Sequence, residues 1–305
     1  MPIVEPAPWR HQYFAGTPCP DDIWIPTDDP EAWLWNPRHR WVFDKLQVAL
    51  SQGLTAGPHG IVPPSFPVFS KPVFNLRGMG EGSRVLSDLA DYQRWYAPGH
   101  MWMPLLEGAH VSTDLAIIAG QSSWFRHATG KPGPAGTFDY WTVHAGKFPA
   151  LMETLSGWVA SNLADYTGLL NIESIGGTII EAHLRFADQW PDLYGKGWVE
   201  AVIGLYQHGV WELAEPQPRD GYSLALFVPH GPRYGHPPET VVARVLELPG
   251  VSSVQITFHE DRAPEAHAMP PGGFRLAFVN CWDLEAGRVA RAQLETWFLT
   301  EGVCR

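Results

Sequence analysis

The stretch Asn171-Ile172-Glu173-Ser174-Ile175-Gly176-Gly177-Thr178-Ile179-Ile180-Glu181-Ala182-His183-Leu184-Arg185 places two carboxylates, an imidazole and a guanidinium around a glycine pair. Glycine pairs close tight turns, so the spacing predicts a hairpin of two strands, Gly168 to Ile175 and Thr178 to Arg185. Apolar Ile172, Ile175, Ile179 and Ile180 between the polar positions give it one buried face. Alternate residues of a strand share a face, so Glu181, His183 and Arg185 point the same way and the turn brings Glu173 beside them. One or two carboxylates facing waters or phosphates is what hard Mg²⁺ takes. Alone, the same residues would equally suit a surface hairpin whose Glu–Arg pair contributes little.

Upstream lies a second constellation. Phe43, Leu46, Val48, Ala49 and Leu50 fall at near-helical spacing, ended by Gly53 and Pro58. A proline-punctuated apolar run then ends in a short strand presenting Lys71, followed by the glycine-rich turn Gly78-Met79-Gly80-Glu81-Gly82-Ser83. Glycines let backbone N–H groups approach phosphate oxygens, and a neighbouring lysine supplies a mobile positive charge. No Lys-Ser/Thr follows the glycines, so this is not a Walker A loop.

The flanking sequence predicts an amphipathic helix over Val85 to Trp95 and an antiparallel meander, Met101 to Leu106, Val111 to Ile118 and Ser123 to His127. A loop at 131–137, a helix over Phe148 to Asp165 and another over Gly197 to Val210 follow. Glu215-Pro216-Gln217-Pro218 reads as a boundary, because prolines deny backbone donors to a continuing element. Beyond it the pattern is β-α-β-β-α. The chain therefore divides into an arm or reduced leading domain (1–40), a central region (41–214) and a C-terminal αβ domain (219–305).

The 305 residues carry 21 Lys+Arg against 32 Asp+Glu, a net charge of −11, with the basic residues scattered singly. Such a surface repels a phosphodiester backbone, which argues against nucleic acid as a partner. Three cysteines, far apart, suit a reducing compartment, and neither a leader nor a membrane-length apolar run is present, so a cytoplasmic protein without a membrane partner is expected. The 15 tryptophans are read as core packing. His100, His110 and His144 lack metal-ligand spacing and are read as structural.

The order of these pieces is more specific than any one of them. Asp44-Lys45, then Lys71-Pro72 before the glycine loop, then Leu106-Glu107-Gly108, Glu173 and Glu181-Ala182-His183-Leu184-Arg185 resembles the ATP-grasp superfamily. The stretch Glu181 to Asp188 is similar to the corresponding part of phosphoribosylamine–glycine ligases. Gly272 to Val279 and the residues after it are similar to the closing domain those ligases share with biotin carboxylase. The resemblance spans about Asp44 to Ala292. It implies an α+β fold of two lobes around a nucleotide cleft, with a short N-terminal arm.

For function, the resemblance implies an ATP- and Mg²⁺-dependent ligase that phosphorylates a carboxylate and lets an amine displace the phosphate. Lys45 and Lys71 would contact phosphates, and Gly78, Gly80 and Gly82 would belong to a lid. Leu105 and Leu106 would hold the adenine through their backbone. Glu173, Glu181 and His183 would bind the metal, while Arg185, with Lys71, would stabilise the transferring phosphoryl group. The pattern has Asn where His183 stands, and imidazole is a softer ligand that admits Mn²⁺. Met103 occupies a position where many relatives carry an acidic residue, and the leading domain is reduced. A homodimer could complete the cleft, or the chain could be a nucleotide-binding homologue without ligase activity, acting as a sensor or partner subunit. Arg126, His127 and Asp188 are candidates for gripping the substrate.

Overall fold

The computed structural model describes residues 3–74, 80, 82–134, 137–213, 219–267 and 273–304; Gly78 and the boundary prolines lie outside them. An arm opens the chain, with β1 (Ile3–Val4) parallel to β2 (Ile25–Pro26), followed by helix α1 (Asp29–Trp35). Helix α2 (Lys45–Ser51) begins where the Asp44 carboxylate accepts the backbone N–H groups of Leu46 and Gln47. A four-stranded sheet follows, built from β3 (Gly57–Pro58), β4 (Val68–Pro72), β5 (Arg84–Leu86) and β6 (His100–Pro104) in the order β3-β6-β4-β5. Helix α3 (Leu89–Arg94) is shorter than expected. Val85 and Leu86 pair with β4 instead of joining it, and Asp88 starts the helix by accepting the Asp91 N–H.

The larger sheet runs β11-β10-β7-β8-β9-β12-β14-β13. Its first half comprises β7 (His110–Ile118), β8 (Gln121–Pro132), β9 (Phe138–Val143), β10 (Gly168–Ile175) and β11 (Thr178–His183), with helix α4 (Pro149–Asn162) inserted after β9. Helix α5 (Trp198–His208) comes next, and the expected β-α-β-β-α run completes the chain. That run is β12 (Gly221–Val228), α6 (Glu239–Leu246), β13 (Val251–Ile256), β14 (Phe274–Cys281) and α7 (Leu284–Thr300). Because β12 pairs with both β9 and β14, this last block continues the central sheet rather than forming one of its own.

Alternation sorts residues to the two faces of that sheet. Leu170, Ile172, Ile179 and Ala182 pack with Leu155, Trp158 and Val159 of α4 on one side. Leu169, Ala116 and Ala128 pack with Phe14 of the arm, Leu193 and α5 on the other. Trp190 and Trp198 are buried in this second cluster, whereas Trp24, Trp35 and Trp95 are exposed. Among the described residues, no helix is long and apolar enough to cross a membrane.

Candidate active site

The Gly176-Gly177 hairpin forms as its sequence demands. Asn171 pairs with His183, Ile172 with Ala182 and Glu173 with Glu181, and then the register slips so that Ser174 faces Ile179. The extra residue at this bulge is Ile180. Its carbonyl accepts a 2.6 Å hydrogen bond from the Lys71 ammonium on β4 of the small sheet. Lys45, at the start of α2, forms an ion pair with Glu181. Two lysines from the small-sheet side therefore reach the edge strand of the large sheet. Gln52, just past α2, fastens the same edge with both halves of its amide, donating to the Ile179 carbonyl and accepting its N–H.

Glu173, Glu181 and His183 each offer a ligand atom, and the three atoms lie within 4.8 Å of one another. This donor set, two partly buried carboxylates and one buried imidazole, suits a divalent cation of the Mg²⁺ or Mn²⁺ kind. Burial would raise the Glu181 carboxyl, but Lys45, then His183 and Lys71, outweigh it and hold it well below the usual range. Lys71 is 5% exposed, and burial lowers its ammonium from a free lysine's 10.5 to about 8 despite Glu181 alongside.

His110, read from the sequence as structural, lies beside the cluster, and so does Asp29, which the sequence did not single out. His110 Nε2 lies 2.8 Å from Glu173 Oε2. Burial alone would lower its pKa, but the hydrogen bond to Glu173 and the charge behind it raise it. The signal lay in strand register, since His110 faces Ile175 and Ser112 faces Glu173, putting His110 on the Glu173 face. Asp29, at the start of α1, is 4% exposed and accepts from both His183 and Arg185. Burial would raise its carboxyl, but Arg185 and then His183 bring it down to about 2. Nothing in the sequence linked it to residues 154 and 156 positions away.

The remaining candidates fall in different places. Arg185 lies just past β11, where its Nε and Nη2 bond Asp29 at 2.8 and 3.3 Å and its Nη1 donates to the Phe186 carbonyl. Leu105 is exposed and Leu106 half-buried, packed in one cluster with Met103, Phe69 and Ile180. Gly80 and Gly82 both adopt positive φ. Arg126 and His127 lie within β8, which runs on to Pro132, past the expected end at His127. Arg126 donates to the carbonyls of His144 and Tyr194. His127 stacks on Phe148 at 4.7 Å, and its Nδ1 lies 3.0 Å from Thr113 Oγ1. Asp188 is paired with Arg10 of the arm.

Behind the hairpin is a buried polar network. The Asp114 carboxylate accepts from Asn171 Nδ2, the Ala187 N–H and the Tyr194 hydroxyl, and burial still pushes it up to about 6. Gly108 and Gly176 nearly touch, and a Cβ on Gly176 would stand 2.3 Å from the Glu107 carbonyl oxygen. The hairpin is thus seated directly on the segment joining β6 to β7.

The chain has the ATP-grasp fold. The L-amino acid ligase from Bacillus licheniformis is similar to it at a TM-score of 0.65 and 13% identity, over 94% of this chain and 82% of that one. Phosphoribosylamine–glycine ligase from Thermotoga maritima is similar at 0.63 and 13%, over 94% and 85%. The biotin carboxylase domain of the Hydrogenobacter thermophilus 2-oxoglutarate carboxylase, solved with MgADP and bicarbonate, is similar at 0.56 and 15%, over 87% and 67%. Neither a protein-family model nor a curated protein matches the sequence.

Proposed function

We propose that this protein is an ATP-dependent ligase that joins a carboxylate to an amine through an acyl phosphate. The reading rests above all on the meeting of Lys45 and Lys71 with Glu173, Glu181 and His183 at the junction of the two sheets of an ATP-grasp fold. A carboxylate is a poor electrophile, so one of its oxygens must first become a leaving group. In the proposed first step a substrate carboxylate oxygen attacks the γ-phosphorus of ATP, and the bond to the bridging oxygen breaks to release ADP. In the second, the amine attacks the acyl carbon, inorganic phosphate departs and the amine gives up a proton.

Phosphoryl transfer depends mainly on positioning and on neutralising charge. Each lysine ammonium has three donors, and among the described residues one partner for each is seen, Glu181 for Lys45 and the Ile180 carbonyl for Lys71. The donors left over would take phosphate oxygens. With its pKa near 8, Lys71 carries its proton at pH 7. Glu173, Glu181 and His183 would hold Mg²⁺ or Mn²⁺, which when bound supplies further positive charge to the phosphates. Leu105 and Leu106 would contact adenine, and the glycine turn around Gly80 and Gly82 would cover the phosphates and keep water from the acyl phosphate. Arg185 would stabilise the charge developing on the transferred group.

One observation favours the other reading, nucleotide binding without ligation. Arg185 has donors committed to Asp29 and the Phe186 carbonyl. Hydroxylamine separates the two. It attacks acyl phosphates and leaves a hydroxamate, so the protein is incubated with ATP, Mg²⁺, hydroxylamine and pools of carboxylic acids. Hydroxamate and ADP in equal amounts, dependent on the acid and lost in Lys71→Ala, are expected of the ligase. ATP binding with no hydroxamate from any acid would favour the alternative.

A further inference from the structure

We propose that Asp29, contributed by the N-terminal arm, is a positioning residue that aims His183 at the metal and holds Arg185 beside it. The inference rests on the nucleotide–metal reading above and assigns the arm a part in the site. Asp29 Oδ1 lies 3.0 Å from His183 Nδ1 and 2.8 Å from Arg185 Nε, and Oδ2 lies 3.1 Å from Nδ1 and 3.3 Å from Nη2. One carboxylate therefore receives both side chains, and it is itself nearly inaccessible, at 4%.

The chemistry follows from what an imidazole can do. A neutral ring has one N–H and one lone pair, so with Nδ1–H donated to Asp29 the lone pair sits on Nε2. A carboxylate behind a ligating histidine fixes its tautomer and orientation and makes it a better donor; losing such a partner typically weakens metal affinity 10- to 100-fold. An asparagine at position 183 would need none of this, since its amide oxygen is a ligand in either orientation. Asp29 and His183 thus form a pair whose value to the metal appears only when both are present. Arg185, held by the same oxygens, is fixed in register with the histidine, so that the arm sets the spacing between the metal and the guanidinium.

The test uses Mn²⁺ with ATP as the probe, followed by electron paramagnetic resonance on the full chain. Pulsed measurements on wild type, which need no variant, should detect a histidine nitrogen coupled to the manganese, and this signal should vanish in His183→Asn. Asp29→Asn, which keeps size and one acceptor oxygen, should weaken Mn²⁺–ATP binding about 10- to 100-fold. In the His183→Asn background the same change should cost less than in wild type, because only the hold on Arg185 remains to be lost. Absence of Mn²⁺–ATP binding by wild type would overturn the nucleotide–metal reading and this inference with it. Binding without a nitrogen coupling, equal affinity in Asp29→Asn, or the full loss persisting beside His183→Asn would overturn the role of Asp29 alone.

Discussion

Replacing Lys71 with methionine should make the protein more stable at neutral pH while removing nucleotide binding. Lys71 is 5% exposed, and its pKa falls from 10.5 to about 8, because burial penalises the ammonium more than Glu181 rewards it. Below pH 8 both folded and unfolded chains carry the proton, and the folded one bears the full penalty of about 3 kcal/mol at 1.36 kcal/mol per pH unit. Between pH 8 and 10.5 the unfolded chain holds more protons than the folded one, so wild-type stability should rise with pH across that window. Methionine fills similar space without the charge but forfeits the hydrogen bond to the Ile180 carbonyl, about 1 kcal/mol. A net gain of about 2 kcal/mol at pH 7 follows. Urea denaturation of both proteins at pH 7 and pH 10.5, with ATP titrated into each at pH 7, measures it. Comparison with wild type cancels the ionisation of tyrosines and cysteines at high pH. A variant less stable than wild type at pH 7, or a difference that does not shrink by pH 10.5, would refute the reasoning.

Three further substitutions probe other parts of the molecule. His127 is 1% exposed, and burial, with His144 and Arg126 nearby, depresses its pKa from 6.5 to about 4. Its contribution is present above pH 6.5 and lost as pH falls toward 4, so His127→Phe should flatten urea-measured stability across that range; an unchanged slope would count against it. Gly176→Ala would place a Cβ 2.3 Å from the Glu107 carbonyl oxygen at a φ of 57°, and should cost about 2 kcal/mol and weaken ATP binding by tilting the hairpin. An unaltered Tm would contradict that. Asp283→Ala removes the carboxylate that accepts the Ala286 N–H at the start of α7, and should cost about 1 kcal/mol with ATP binding unchanged. Altered ATP affinity there would link α7 to the site in a way its position does not suggest.

Local rules were enough to read the turn of the hairpin. A glycine pair between two apolar runs fixes it, but an unbroken register would set Glu173 opposite Ile180, and only the slip at Ile180 brings Glu181 opposite Glu173. The C-terminal β-α-β-β-α run was equally legible, its long helix begun by Asp283 and its strands apolar. Over Val85 to Trp95 the helical periodicity misled, because Val85 and Leu86 gain strand partners on β4 that no local pattern displays. The bulge at Ile180 was invisible too, yet it provides the carbonyl that Lys71 finds. Asp29 went unread, and His110 was read as structural, for a related reason. Their partners lie far along the chain, and only the packing of α1 on the hairpin and the pairing of β7 with β10 bring them together.

The most direct measurement is calorimetric titration of ATP, with and without Mg²⁺, into wild type and Glu181→Ala. Binding by wild type that strengthens with Mg²⁺ and is lost in the variant is the expected result, since Glu181 both anchors Lys45 and offers a ligand atom beside Glu173 and His183. Binding that ignores Mg²⁺ and survives Glu181→Ala, or no binding in any condition, would contradict the assignment of this junction as an ATP–metal site.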